Sequence, residues 1–210
     1  MSLYTKGYNS VENCTSLENF LAHARSLGEI IPHPNGELYD VVIANDGTNA
    51  RNGSFSKNFG FQSFPLHTDT AFWAIPSRLL VMWSPNASST STTLLSWSKI
   101  LEFLSEKEIK ILNDSIFTMQ TYEIAKYTAI KFIHSGVRGF RYDPNIMYPA
   151  NKQSEEFVGI YREILRKVNM IDFNWSGSNA LVIDNWSMLH GRNHIKDKNE
   201  SRQIFRAYVR

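Results

Sequence analysis

Residues 64–70, FPLHTDT, decide the fold and the site of this chain, because a histidine and an aspartate there flank a single threonine. Side chains alternate between the two faces of an extended segment, so His67 and Asp69 point to the same side. An imidazole and a carboxylate on one face can bind a common divalent metal ion. Most His-x-Asp pairs are ordinary surface or hydrogen-bonded pairs, however, so the metal interpretation needs a third ligand from another segment.

Residues 183–192, IDNWSMLHGR, provide candidates for that third ligand. They overlap an apolar run, residues 180–185, that is typical of a buried strand. His190 is the preferred candidate, and His194 is the alternative. Two imidazoles with one carboxylate are a ligand set of non-haem Fe(II) sites that leave coordination positions open.

Arg202 and Arg206 lie four residues apart on a predicted last strand, residues 202–209, and therefore project from the same face. One inward arginine can hold a small dicarboxylate through a bidentate pair of hydrogen bonds, and the other can reach a second anionic group nearer the metal. The alternative interpretation is an exposed edge strand whose charges prevent aggregation.

Composition restricts the classes of protein to which the chain can belong. Its 210 residues suit one domain, residues 1–210, and its net charge of +2 gives no reason to expect nucleic acid or an anionic membrane as partner. The single cysteine, Cys14, excludes an internal disulfide and a zinc site built on paired thiolates. No apolar stretch resembles a signal peptide or a membrane span, so we expect a cytoplasmic protein.

Hydrophobic periodicity and turn residues predict the secondary structure. Helices are expected at residues 16–27, from about residue 97 to 104, from Ser105 to about Leu112, and after a cap at Ser154. Strands are expected at residues 37–44, 78–83, 180–185 and 202–209, and loops at residues 52–60 and 88–92. Residues 114–151 give no clear pattern.

The order of these elements favours a mainly β fold of the α+β type. The chain has no regular βαβ alternation and no GxGxxG loop, which argues against a parallel, doubly wound sheet. We therefore predict a double-stranded β-helix, a jelly-roll or cupin-like barrel, with helices packed on one outer face.

Three separated motifs then resemble a known family. The triplet at residues 67–69, the run at residues 184–192 and Arg202-x-x-x-Arg206 occur in the order found in the Fe(II)/2-oxoglutarate-dependent oxygenases of the taurine dioxygenase and clavaminate synthase-like group. A fainter similarity covers the first helix and residues 140–144. The resemblance implies that His67, Asp69 and His190 are the iron ligands.

The same resemblance implies how 2-oxoglutarate would bind. Arg202 would bind its distal carboxylate, together with Thr93, and Arg206 would bind its other carboxylate or an anionic group of the substrate. The chain departs from the family's usual Gly-Gly-acid triplet before that threonine, having Ser and Thr at residues 88–92 instead, which leaves Thr92 or Thr90 as substitutes.

The activity implied is hydroxylation or desaturation of an unactivated C–H bond, in which 2-oxoglutarate and O2 become succinate and CO2. The substrate expected is a small metabolite, anionic, amino-acid-like or carrier-bound, and the oligomeric state is left open. Trp73, Arg141 and Tyr142 are candidates for the pocket wall, and Asn185 for orienting a ligand. Two other functions stay open: a cupin-like module that binds a small carboxylate without turnover, and a metal-dependent hydrolase using zinc.

Overall fold

The computed structural model describes residues 3–33, 36–50, 54–198 and 202–210. The strands in chain order are β1 (Tyr8–Glu12), β2 (Ile30–Ile31), β3 (Asp40–Ile43), β4 (Phe64–His67), β5 (Leu79–Trp83), β6 (Ala87–Ser96), β7 (Phe117–Gln120), β8 (Ala125–Thr128), β9 (Lys131–His134), β10 (Val137–Phe140), β11 (Met147–Pro149), β12 (Ile171–Ser176), β13 (Asn179–Asp184), β14 (Met188–Arg192) and β15 (Gln203–Val209). The helices are α1 (Leu3–Lys6), α2 (Leu17–Leu27), α3 (Phe55–Phe59), α4 (Trp97–Glu102), α5 (Glu106–Asp114) and α6 (Lys152–Leu165). None of the helices described is long and apolar enough to cross a membrane.

Two antiparallel sheets form the barrel. The larger one has the order β1-β13-β5-β15-β2, with β3 also paired to β15, and the smaller one has the order β12-β6-β14-β4. Every strand pairing in the two sheets is antiparallel. Two further small sheets, β11-β7-β8 and β10-β9, lie outside the barrel. The mainly β, antiparallel architecture predicted from the sequence is confirmed.

The inner faces of the two sheets share one apolar core. Leu80 and Leu181 of the larger sheet pack with Leu94, Phe173 and Met188 of the smaller one, and all five side chains are buried. Because successive residues of a strand face opposite ways, the other side chains of the same strands are left for outer layers. Apolar contacts between the two sheets thus hold the barrel together, and the outer face of each sheet needs a cover.

Helices cover both outer faces, whereas the sequence predicted helices on one face only. Helix α2 packs Phe20 and Ala24 against the outer face of the larger sheet. Helices α4, α5 and α6 pack with β7, β10 and β11 against the outer side of the smaller sheet, around residues such as Trp97 and Phe157. Each sheet has apolar residues on both faces, so each needs its own helical cover.

Helix starts agree with the capping chemistry, with one exception. Ser16 caps α2 by accepting a hydrogen bond from the Asn19 amide, and Ser105 opens α5 in a full capping box with Glu108. For α6 the predicted cap, Ser154, is wrong. The N-cap is Asn151, and Ser154 is the third helical residue, whose hydroxyl accepts from the Asn151 amide.

The two predicted loops contain regular structure. Residues 88–92 belong to β6, because this strand lies between β12 and β14 and its polar side chains find partners there. The Thr92 hydroxyl, for example, accepts a hydrogen bond from the Trp175 indole. Within residues 52–60 the described part forms α3, whose N-cap is Ser54. Serine and threonine indicate loops only where packing does not override their propensity.

Strand β4 is an edge strand of the smaller sheet and pairs with β14. His67 is directly opposite His190 in this register. The two strands approach so closely at Gly191 that a Cβ atom there would lie 2.7 Å from the Phe64 carbonyl oxygen, so only glycine fits without a shift. Strand pairing therefore brings the two predicted imidazoles together.

Candidate metal centre

Three side chains meet at the end of β4 and β14. The ligand atoms of His67, Asp69 and His190 all lie within 4.8 Å of one another, and all three residues are buried. The Nε2 atoms of His67 and His190 lie 3.6 and 3.8 Å from the two carboxylate oxygens of Asp69. Within the described chain this is the one group of three histidine, cysteine or acidic side chains arranged to hold a metal ion. His194, the alternative third ligand, is exposed and lies outside this group.

Local contacts direct the imidazole nitrogens toward the centre. The His67 Nδ1 atom lies 2.9 Å from the Pro65 carbonyl oxygen. A carbonyl only accepts, so Nδ1 carries a proton, and Nε2 is the nitrogen that faces Asp69. Burial, with the nearby charge of His67, lowers the pKa of His190 to about 3. His190 is therefore neutral at physiological pH, as a metal ligand must be.

Asn185 holds the backbone of Asp69 from both sides. Its side-chain oxygen accepts from the Asp69 amide at 3.0 Å, and its Nδ2 donates to the Asp69 carbonyl at 2.9 Å and to the Ser77 carbonyl at 3.0 Å. Asn185 itself is fully buried at the end of β13. The geometry fits the predicted orienting role, and it acts on the backbone of Asp69 rather than on its carboxylate.

Arg206 is bound to the carboxylate of Asp69. Its Nη1 lies 3.1 and 3.0 Å from the two oxygens of Asp69, and its Nη2 donates to Asp40 at 2.8 Å. Burial alone would raise the pKa of Asp69, but Arg206 and the two imidazoles outweigh it and hold that pKa well below its usual range. The sequence predicted that Arg206 binds the cosubstrate or an anionic substrate group. In the structure, its two Nη atoms are instead engaged with two aspartates.

A cavity of about 1080 Å³ opens above the three side chains. The wall inside the barrel carries Thr92, Arg192 and Arg202, and both arginines are buried. Arg192 stacks over the Phe64 ring, and its Nη2 donates to the carbonyls of Gly60 and Gln62. Arg202 thus lines the cavity at the end that is richest in positive charge, and its contact with 2-oxoglutarate stays a prediction.

Thr93 does not face this cavity. Thr92 and Thr93 are neighbours on β6, and their side chains therefore project from opposite faces of the sheet. Thr93 lies near Asp172 and Asn193 and lines a smaller, separate cavity of about 350 Å³, whereas Thr92 lines the main one. The prediction for Thr93 is therefore wrong by one residue, and Thr92, one of the two predicted substitutes, has the required position.

The predicted aromatic and arginine wall residues lie elsewhere. Tyr142 is buried beside the smaller cavity, and neither Trp73 nor Arg141 lines the main one. The Arg141 guanidinium instead donates to the carbonyls of Ala71, Trp73 and Ala74, and so fixes the segment that follows Asp69.

Two acidic residues of the cavity wall were not predicted from the sequence. Asp40 forms the second ion pair of Arg206, and Asp143 is buried on the outer wall of the cavity. For Asp143 a signal existed, because it lies within residues 140–144, the segment of faint family similarity. Asp40 gave none, since a carboxylate at the start of a short strand is a common surface feature.

Comparison with known proteins identifies the family of the chain. A search of curated proteins finds no significant match. The model of the taurine catabolism dioxygenase TauD, TfdA family matches residues 6–208. The chain belongs to this TauD/TfdA family. The match extends over nearly the entire chain and contains all the motifs from which the resemblance was inferred.

Solved structures share the fold of this TauD/TfdA-family chain. An asparagine oxygenase, solved with Fe(II), hydroxyasparagine and succinate, superposes with a TM-score of 0.74 at 16% identity, over 90% of this chain and 62% of its own. PvcB from Pseudomonas aeruginosa gives 0.75 at 16% identity, over 99% and 77%. OrfP, a non-haem iron oxygenase solved with Fe, succinate and hydroxyarginine, gives 0.70 at 18% identity, over 92% and 64%. The chain therefore spans less than two thirds of the length of the asparagine oxygenase and of OrfP, and the similarity establishes the jelly-roll fold.

Proposed function

We propose that this protein is an Fe(II)/2-oxoglutarate-dependent oxygenase that hydroxylates a small, amino-acid-like metabolite. The observation that carries the proposal is the buried group of His67, Asp69 and His190, whose ligand atoms lie within 4.8 Å of one another. Membership of the TauD/TfdA family supports the same activity. Asparagine oxygenase and OrfP, which share the fold, were solved with hydroxylated amino acids, which supports the substrate class.

The donor set fits ferrous iron. Two imidazole nitrogens and one carboxylate are the ligands that non-haem Fe(II) oxygenases use, and they leave coordination positions for other molecules. With 2-oxoglutarate and O2, such an iron supplies the oxidising chemistry that inserts one oxygen atom into a C–H bond and yields succinate and CO2. Asp69 also argues for hydroxylation or desaturation over halogenation, because a halide ligand requires a small residue at that position.

The inner wall of the cavity fits a dicarboxylate. Arg202 would bind the distal carboxylate, and the Thr92 hydroxyl, which accepts from Trp175, retains its proton to donate to the same group. Arg192 is also buried there, within electrostatic reach of Arg202. Two neighbouring buried cations repel each other, so an anion bound between them would be strongly stabilised.

The other residues of the site position the Asp69 carboxylate and shield the cavity from water. Arg206 keeps Asp69 ionised, and Asn185 fixes its backbone, so the carboxylate is ready to bind a cation. Apolar side chains such as Met82, Phe64 and Ile204 line the cavity and limit the water that reaches the reacting atoms.

Succinate formation tests the proposal directly. Purified protein supplied with Fe(II), 2-oxoglutarate and O2 is expected to release succinate slowly without substrate, and faster when amino acids and their derivatives are screened. His67→Ala is expected to abolish this release, because a metal ligand is lost. Arg202→Ala is expected to retain iron and to raise the KM for 2-oxoglutarate.

Three results would contradict the assignment. Equal loss of iron from His67→Ala and Arg202→Ala would show that the two residues do not have separate roles. Carboxylate binding without any succinate would favour the binding module, and hydrolysis without O2 or 2-oxoglutarate would favour the zinc enzyme.

A further inference from the structure

Apart from the ion-paired Asp40, Asp69 and Arg206, the charged residues of the main cavity form two groups of opposite sign. Arg192 and Arg202 line the part inside the barrel, where the dicarboxylate is proposed to bind. Asp143 lines the wall outside the barrel, on the segment that follows β10, and Glu123 lies on the loop between β7 and β8 that also borders the cavity. A ligand that extends from one part to the other therefore meets positive charge first and negative charge second.

Asp143 differs from the other buried aspartates. Three aspartates are buried in the part of the chain that the structure describes, namely Asp69, Asp143 and Asp184. Asp69 pairs with Arg206 at 3.0 Å, and Asp184 pairs with Arg78 at 2.9 Å. Among the described residues, no lysine or arginine forms an ion pair with Asp143.

The contacts of the Asp143 side chain are few. Its Oδ1 accepts a hydrogen bond from the Asn145 amide at 2.8 Å. The residue is only 7% exposed. Burial raises the pKa of this carboxyl to about 6, although the nearby His67 opposes the rise. An ionised carboxylate buried with one hydrogen bond and no cation is unfavourable unless a ligand supplies the partner.

The proposed metal ion is not that partner. The group of ligand atoms within 4.8 Å of one another contains Asp69 and the two histidines, but not Asp143. Arg206, the arginine nearest the metal centre, already binds Asp69 and Asp40. The partner must therefore be a group that enters the cavity with the substrate.

We propose that Asp143 binds a cationic group of the substrate, an ammonium or a guanidinium, and so selects amine-bearing substrates. This inference rests on the proposed function and specifies its substrate class. The cosubstrate dianion and the substrate cation would occupy opposite ends of one cavity, which prevents either from binding in the other's place.

The proposal replaces one expectation from the sequence. An anionic substrate group was expected because Arg206 seemed available to bind it, but both of its Nη atoms are engaged with aspartates. Asp143 offers the opposite charge at the position open to substrate. An amino acid still fits, because its ammonium group satisfies Asp143.

Paired probes that differ by one charge test the proposal. The pairs are L-arginine with L-citrulline, L-lysine with L-norleucine, and L-leucine with its 2-hydroxy acid. Binding is measured by calorimetry without O2, on protein loaded with Fe(II) and 2-oxoglutarate, so that no turnover is needed. Asp143→Asn is the test variant, and Asp172→Asn is the control, because Asp172 hydrogen-bonds Asn193 outside the main cavity.

Wild-type protein is expected to prefer the cationic member of at least one pair about tenfold or more. Asp143→Asn should weaken binding of that member by roughly 10- to 100-fold, the effect of losing a charge-assisted hydrogen bond, and leave the neutral member unchanged. Asp172→Asn should keep the wild-type preference. The preference for the cationic probe should thus depend on the Asp143 carboxylate and not on that of Asp172.

Two outcomes would overturn the inference. One is a cation preference that persists in Asp143→Asn, and the other is failure of every cationic probe to bind wild-type protein at millimolar concentration. Failure of the proposed function would be recognised separately, as absence of 2-oxoglutarate binding in the presence of Fe(II). In that case the same pairs are measured on metal-free protein, where Asp143 is tested independently of the oxygenase activity.

Discussion

At the scale of single residues, neighbouring threonines of β6 have different roles. Thr92 faces the main cavity, and Thr93 faces Asp172 and Asn193 on the other side of the sheet. Thr92→Val should raise the KM for 2-oxoglutarate about 5- to 20-fold, because one hydrogen bond to a charged group is lost. Thr93→Val is the matched control and should change the KM for 2-oxoglutarate less than twofold. Steady-state kinetics with varied 2-oxoglutarate distinguishes the two, and a larger effect at Thr93 would contradict the assignment.

Asn185 offers a second test at this scale. Its side chain bonds both the amide and the carbonyl of Asp69, so Asn185→Ala should leave the carboxylate in place but poorly oriented. Loss of a residue that orients a metal ligand typically lowers metal affinity 10- to 100-fold. Equilibrium dialysis with Fe(II) or Co(II) measures that affinity directly. Replacement of Asn179, whose contacts are to Asn174 and Ser176, is the control and should leave metal affinity unchanged.

The sequence was informative at this scale where chemistry is local. His67, Asp69 and His190 could be predicted as metal ligands because each lies in a short recognisable motif, and the structure brings the three side chains together. The assignment to Thr93 was wrong because a shift of one residue along a strand reverses the side chain, and no local signal marks the register. Arg206 was misread for a different reason, since its partners Asp40 and Asp69 lie 166 and 137 residues away.

At the scale of elements, Arg141 connects the strand β10 to the segment after Asp69. Arg141→Met would remove the hydrogen bonds to the carbonyls of Ala71, Trp73 and Ala74 from a buried position. We expect a loss of roughly 2–4 kcal/mol in unfolding free energy and faster amide exchange in residues 70–77. Chemical denaturation and hydrogen exchange measure the two effects.

Arg138 supplies the control for that experiment. It lies on β10, three residues before Arg141, and is exposed, so Arg138→Met should change stability by less than about 0.5 kcal/mol. Equal destabilisation by both variants would show that the strand itself is sensitive to substitution, and not that Arg141 acts on the loop.

Elements with a strong local signal were predicted well. Helices α2 and α5 begin with serine caps, strands β5 and β13 are largely apolar, and β15 is rich in apolar and aromatic residues, so their positions could be read from the sequence. Strand β6 was missed because its Ser and Thr residues acquire their partners only from β12 and β14. The short strands between α5 and α6 also depend on pairing with distant segments, which periodicity does not reveal.

At the scale of the whole molecule, Asp143 should make stability depend on pH. Its pKa is raised to about 6 in the folded protein from 3.8, so between these values the folded state binds more protons than the unfolded state. Stability therefore decreases as pH rises through this window. Above pH 6 the metal-free Asp143→Asn variant should be more stable than the wild type by about 2 to 3 kcal/mol.

The measurement is urea denaturation of both metal-free proteins between pH 4 and pH 8. The two unfolding free energies should converge toward pH 4, where the carboxyl is protonated in the folded wild type and begins to be protonated in the unfolded one. Parallel curves across the range, or a wild type that is more stable at pH 8, would show that the carboxylate is compensated. A variant that gains stability and loses ligand would fit the usual trade-off at binding sites.

Asp69 contacts Asn185, 116 residues further along the chain, and Arg206, 137 residues further. During synthesis, the ribosome therefore releases this aspartate long before the groups that orient and neutralise it. A polypeptide that ends before His190 has no second imidazole opposite His67, so it cannot assemble the proposed metal centre. Only a polypeptide that extends beyond β14 could therefore hold the proposed iron.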